Sequence, residues 1–164
     1  MAEAGLVLGR VVDLEDPEAR LRVRVQRLDR PAGVESDWME ILRPMAGEEA
    51  GIVAMPELED LAVIGHVGTR PVVLGFLHSG GQTPPAADVK ERVIRTPNGH
   101  RILLADTDAD GITIADAHGN EIVLNADGIT ITSASGLTIA AQGNIEIEAA
   151  GTTTIKGATV ELNP

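Results

Sequence analysis

Apolar and polar residues alternate in short runs along the chain, and no apolar stripe recurs at helical spacing over ten or more residues. In the first half, Leu6-Val7-Leu8-Gly9-Arg10-Val11-Val12 is a compact apolar run that ends in the acidic turn 13–17. Leu21-Arg22-Val23-Arg24-Val25-Gln26 then alternates apolar with charged side chains, the pattern of a half-buried strand. Residues 38–42, 61–66 and 72–77 supply three more candidates, the last two joined by the turn Val67-Gly68-Thr69-Arg70-Pro71. Five short strands in about 70 residues fit a small closed barrel of the OB type. The expected organisation is an OB domain over 1–77, a linker over 78–91 and a second domain over 92–164. Paired Gly80-Gly81 followed by paired Pro84-Pro85 predicts a flexible step and then a stiff one in that linker.

The second half has a different rhythm. From Ile112 onward, pairs of apolar residues two positions apart recur: Ile112/Ile114, Ile122/Leu124, Ile129/Ile131, Leu137/Ile139, Ile145/Ile147, Thr153/Ile155 and Val160/Leu162. Their spacing averages about eight residues, a period that marks an array. Gly119, Gly128, Gly136, Gly143, Gly151 and Gly157 each stand just ahead of a pair, where a corner with positive φ is expected. Asn98-Gly99 is a two-residue hairpin signal that would pair residues 92–96 with 100–104. Two inward side chains per unit are too few for one chain to build a core. Three chains wound as a triangular prism would bury Ile112, Ile114, Ile122, Leu124, Ile129, Ile131, Leu137, Ile139, Ile145, Ile147 and Ile155 on a common axis. Thr113, Thr130, Thr132, Thr138, Thr152 and Thr154 would then line the outside. The expectation is an all-β protein: an OB barrel followed by an intertwined trimeric β-helix of octad repeats, roughly 34 Å long if seven units stack at strand spacing.

Composition narrows the function. The 164 residues carry a formal charge of −12, with no Cys, no Tyr, one Trp and one Phe. Nucleic acid and anionic lipid both want clustered Lys and Arg, so neither is expected as a partner. Without Cys there is no thiol nucleophile and no disulfide scaffold. No apolar run reaches the ~18–20 residues of a membrane span, and the N-terminus lacks the pattern of a secretory signal. Synthesis in the cytoplasm without a signal peptide is the expectation.

Several local patterns invite a chemical reading. Asp106-Thr107-Asp108-Ala109-Asp110-Gly111 opens like a calcium loop, but position 12 holds Ala117 instead of a bidentate Glu, and Asp116 falls one short. A solvated acidic turn is the simpler reading, although three such turns in a trimer could gather a cation loosely. His66, His78, His100 and His118 form no i, i+4 pair. Glu57, Glu59 and Asp60 crowd one loop, and Ser79 lacks the glycine pattern of a nucleophile elbow. No catalytic constellation, cofactor site or metal site emerges, and an enzyme is not expected.

The order of these segments resembles a known family. Residues 55–66 and 70–78, with Met55-Pro56-Glu57-Leu58-Glu59-Asp60 and Arg70-Pro71-Val72-Val73-Leu74-Gly75-Phe76-Leu77-His78, are similar to the OB domain of contractile-tail spikes. Arg95-Thr96-Pro97-Asn98-Gly99-His100-Arg101-Ile102 and the following Gly111-Ile112-Thr113-Ile114 and His118-Gly119-Asn120-Glu121-Ile122 resemble the start of their needle. The families are phage baseplate assembly protein V and the VgrG-like spikes of type VI secretion and related injection systems. The resemblance implies a homotrimeric structural spike that punctures a target envelope and touches the membrane only mechanically. It would be assembled into a phage virion or an injection particle. It also implies a PAAR-repeat tip protein seated on Val160, Leu162, Asn163 and Pro164. VgrG-like proteins carry a hub region ahead of the OB domain, so a separate hub protein is expected at the OB end. The alternative reading is a trimeric adhesin or tail-fibre tip that binds a surface glycan.

Overall fold

The computed structural model describes residues 5–107 and 111–161 and divides into two units, Met1–Pro85 and Ala86–Pro164. Among the described residues there are twelve elements, all of them strands. In the first unit they are β1 (Val7–Asp13), β2 (Arg24–Arg27), β3 (Glu40–Ile41), β4 (Ala46–Gly47), β5 (Ala50–Gly51), β6 (Leu61–Val67) and β7 (Arg70–Leu77). In the second they are β8 (Glu91–Arg95), β9 (Arg101–Ala105), β10 (Ile112–Ala115), β11 (Glu121–Asn125) and β12 (Gly128–Thr132).

The first unit is a barrel with the order β2-β1-β6-β7-β3. Antiparallel pairing links the first four strands, and β3 runs parallel to β7 through Glu40↔Val72 and Ile41↔Val73. The ring closes where Val23 and Met39 exchange backbone hydrogen bonds of 3.0 and 2.8 Å, joining the start of β2 to the start of β3. This connectivity is that of an OB barrel. Alternation drives the packing: Val11, Val23, Val25, Met39, Ala62, Ile64 and Val73 point inward and are buried, with Leu14, Ile41, Met55 and Phe76 packed around them. Full burial of a Val or Ile side chain contributes about 1.5–3 kcal/mol, so this cluster stabilises the barrel within one chain.

Two details depart from the sequence pattern. The second strand begins at Arg24 because Leu21 stands at φ 56° and Ala19 at φ 54°, left-handed conformations that end any extended run. The β4–β5 hairpin, with no alternating pattern to announce it, interrupts the connection from β3 to β6. In the expected linker, Gln82 closes the turn at Gly80-Gly81. Its backbone N donates to the Ser79 carbonyl at 2.9 Å, and its side-chain oxygen accepts from Ser79 N at 2.8 Å. Both bonds close the turn on itself.

The second unit begins as a five-stranded antiparallel meander, β8 to β12 in sequence order. β8 pairs with β9 from Glu91↔Ala105, one residue before the expected start at 92, to Arg95↔Arg101, and Thr96 N reaches the His100 carbonyl at 2.9 Å. The loop between them holds three residues, Pro97, Asn98 and Gly99, not the two that Asn-Gly alone suggests. Proline at the second position of a type I turn and Gly99 at φ 96° account for this form. Ala117, His118 and Gly119 (φ 90°) repeat the same design between β10 and β11.

The octad reading needs correction over this stretch. β10, β11 and β12, which carry Ile112/Ile114, Ile122/Leu124 and Ile129/Ile131, double back on one another as hairpins instead of winding in one direction. The turns decide this, since Gly99, Gly119 and Gly128 all adopt positive φ and reverse the chain. Gly136, Gly143, Gly151 and Gly157 do not adopt it, so the expected left-handed corners are missing there. From Ser133 to Glu161 no strand is paired within the chain.

Candidate assembly interface

Register turns the meander into two apolar rows. Ile94, Ile102, Ile114, Ile122 and Ile131 lie side by side across all five strands, and Leu104, Ile112, Leu124 and Ile129 form the row beside them. All of these side chains share one face, because register partners project together and residues two apart repeat the direction. Arg92 completes the second row on β8, where its Nη1 donates to Asp106 Oδ2 at 2.6 Å. The opposite face carries Val93, Leu103, Thr113, Val123 and Thr130 in its middle row. Arg95, Arg101, Ala115, Glu121 and Thr132 lie in register along its edge. This opposite face is therefore mixed rather than Thr-rich in this part.

Nothing among the described residues covers the isoleucine face. Among the described residues, eight of the nine buried apolar side chains belong to the barrel, and Ala105 alone belongs to the second unit. Ile94, Ile102, Ile114 and Ile122 instead line an open groove of about 420 Å³. Beyond the meander exposure is greater still: Leu137, Ile139, Ile145, Ile147 and Ile155 are all open to solvent, Ile147 at 72 %. Contiguous apolar surface of this extent marks a protein–protein contact. Residues 133–161 add unpaired backbone, which makes extended chain a template for pairing with another chain. Of the expected tip contacts, Val160 is half exposed, and Leu162, Asn163 and Pro164 lie outside the described residues.

One end of the meander is held by a polar network that the sequence did not announce. Asp116 Oδ1 accepts from the backbone N of His118 (2.7 Å) and of Asn120 (2.9 Å), while Oδ2 accepts from Asn120 Nδ2 (2.6 Å). The Asn120 side chain and these backbone donors hold the Asp116 carboxyl down at about 2. Asn120 Oδ1 then accepts from Ser133 Oγ at 3.2 Å and Ala134 N at 3.1 Å, tying the segment after β12 to the β10–β11 turn. Beside it, His100 Nδ1 accepts from Ala117 N at 3.3 Å, and the His100 and His118 rings meet edge-on at 5.9 Å. Three successive loops are thereby stacked, and the spacing Asp-x-x-x-Asn is the cue in the sequence that could have revealed them.

The remaining polar candidates serve structure. Asp106 binds Arg92, while Asp108, Ala109 and Asp110 of the acidic turn lie outside the described residues. Glu59 pairs loosely with Arg10, and Asp60 accepts from Glu57 N and from Gln82. In the β1–β2 loop, the Asp16 side chain is 3 % exposed and grips Arg22 through two hydrogen bonds of 2.7 and 2.9 Å. The Arg22 guanidinium, with backbone donors from Glu18, Arg20 and Arg22, holds the Asp16 carboxyl far below the usual carboxylate range. Such a carboxylate fixes a loop and cannot exchange protons near neutrality. No group of three or more His, Asp or Glu side chains is arranged to hold a metal among the described residues, and no helix is long and apolar enough to cross a membrane.

A barrel complete within one chain is thus followed by an apolar face and an unpaired segment that need other chains. Comparison with known families agrees with this division. Residues 7–78 match the type VI secretion system/phage-baseplate injector OB domain, and residues 91–164 match the phage baseplate V C-terminal trimerisation domain. No curated protein matches the chain. With both matches in order along nearly its whole length, the chain belongs to the phage baseplate V family, as a homotrimeric structural component of a phage baseplate or type VI secretion injector.

Proposed function

We propose that this protein is the central spike of a contractile injection system or phage tail, with an OB collar over 1–77, a linker over 78–91 and a trimeric needle over 92–164. The observation that carries this reading is the stretch 133–161, where apolar pairs at octad spacing stand exposed on chain without a strand partner. Three copies wound together supply each strand with neighbours and bury Leu137, Ile139, Ile145, Ile147 and Ile155 on one axis. A ladder continuous around three chains resists bending, because bending it means breaking backbone hydrogen bonds. The meander above it fits a prism wall, with the two isoleucine-rich rows facing the axis and the charged edge row facing out.

The function that follows is mechanical: a narrow rigid shaft that transmits axial force to an envelope without chemistry of its own. A PAAR-repeat protein capping Val160, Leu162, Asn163 and Pro164, and a hub protein at the OB end, are the partners that the family resemblance implies. Removing residues 158–164 tests the cap. The shortened protein should keep its trimeric mass and lose binding to the purified tip protein; unchanged binding would refute the site. Electron microscopy of the full-length protein should show a thin shaft projecting from a wider collar, and a globular particle without a shaft would overturn the needle.

A further inference from the structure

The outer wall of the barrel carries a feature that the needle does not explain. On β6, Gly65 lies beneath two leucines: a Cβ built there would meet Leu74 Cδ1 at 2.7 Å and Leu6 Cδ2 at 3.4 Å. Leu6 and Leu74 therefore lie flat across the wall, over a position that only glycine leaves open. Val72, in register with Gly65, shares this face and is buried, yet it stands apart from the central core cluster. Continuing the parallel register of β3 and β7 past Ile41↔Val73 sets Leu42 beside Leu74, and the Leu42 N donates to the Val73 carbonyl at 2.7 Å. Leu6, Leu74 and Leu42 so form one apolar strip across the outside of β6, β7 and β3, with Leu6 68 % and Leu42 64 % exposed. The charged residues along its flanks are paired with each other, Arg70 with Glu40 at 2.9 Å and Arg10 with Glu59 at 3.8 Å.

From this we infer that the strip is a contact between the OB barrels of two copies of the chain. The inference rests on the trimer. Three leucines cover only a few hundred Å², well short of the roughly 800 Å² per partner of an interface that holds on its own. A strip this small stays occupied only by a partner already held close. Residues 78–90 tether each barrel to a trimerisation domain, which raises the effective concentration of neighbouring barrels to about the millimolar range. Paired flanking charges let like surfaces approach without repulsion. The contact would fix the barrels around the threefold axis as a collar instead of leaving them loose at the ends of their tethers.

The absence of cysteine from the chain gives a direct test. Leu74→Cys, Leu6→Cys and, as a control on the β2–β3 connection, Val34→Cys are made singly in the full-length protein. Each is treated with a short bismaleimide and, separately, with a monofunctional maleimide, and the mass of the same sample is measured by sedimentation. The strip variants should form covalent dimers and label roughly tenfold more slowly than Val34→Cys, as expected for a weak contact at millimolar effective concentration. Fast labelling without cross-links in a sample of trimeric mass would overturn the contact and leave the trimer standing. A monomeric mass would overturn the trimer and the contact with it. Protection that arises only when a purified hub protein is added would assign the strip to that partner and refute a contact between copies.

Discussion

The barrel and the needle segment are built from the same few residue types, mainly Val, Ile, Leu, Ala and Gly, and they use them in opposite ways. In the barrel, alternation sends every second side chain into a space enclosed by the chain itself, and Val11, Val23, Val25, Ile64 and Val73 lose almost all contact with water. In the second unit the alternation is cleaner, yet the side chains it selects remain open, from Ile94 to Ile155. The difference is closure. A five-stranded sheet that returns to its first strand encloses a volume, whereas a flat meander followed by unpaired chain has only a face. Alternation therefore reports that one face is apolar and leaves open whether the same chain covers it.

This contrast can be broken at either end. The largest effect is expected from Ile131→Asp, at the end of the five-strand isoleucine row. It would place three carboxylates on one axis, each costing several kcal/mol to bury unpaired. Sedimentation should show monomers whose barrels remain folded; a trimer would refute the assignment of that face. Ile64→Ala should do the reverse. It removes a fully buried side chain from the barrel at a cost of about 2–5 kcal/mol, while the trimeric mass is kept. Loss of the trimer in that variant would show that the two units depend on one another for folding.

A smaller effect concerns pH. Asp116 titrates at about 2 when folded, against roughly 3.9 in an unfolded chain. A depressed folded value stabilises the native state above the unfolded value and loses that stabilisation as pH falls through the folded one. The turn stack should therefore weaken between about pH 4 and pH 2, and Asp116→Asn should remove that part of the pH dependence in thermal melts. An unchanged acid profile would show that the network contributes nothing. The mildest change is Thr132→Asp on the outer face, opposite Glu121 in the register. Like charges across strands cost about 0.2–1 kcal/mol, so the trimer should persist with a slightly lower Tm. Dissociation would mean that Thr132 faces inward.

The all-β class and the OB barrel of the first half were legible in the residues. The barrel strands follow from alternation and from turns at 13–17 and 67–71, and the β8–β9 register follows from Pro97-Asn98-Gly99. What escaped the pattern were features set by particular side-chain contacts. Asp16 bends the β1–β2 loop through left-handed Ala19 and Leu21, and Asn120 bridges a turn to Ser133, thirteen residues further along the chain. Neither depends on periodicity, so neither leaves a periodic trace.

The sequence by itself determined that the chain is all β, that its second half repeats a two-residue apolar motif, and that this motif is too narrow to make a core alone. These are local properties, set by side-chain period and by where glycine and proline stand. Only the tertiary structure decided that residues 91–132 fold back as hairpins while 133–161 find no strand partner, and that the barrel carries an apolar strip outside as well as a core within. Those outcomes depend on which strands meet. The sign of φ at Gly99, Gly119 and Gly128 settles that in the meander, and the return of β3 to β7 settles it in the barrel.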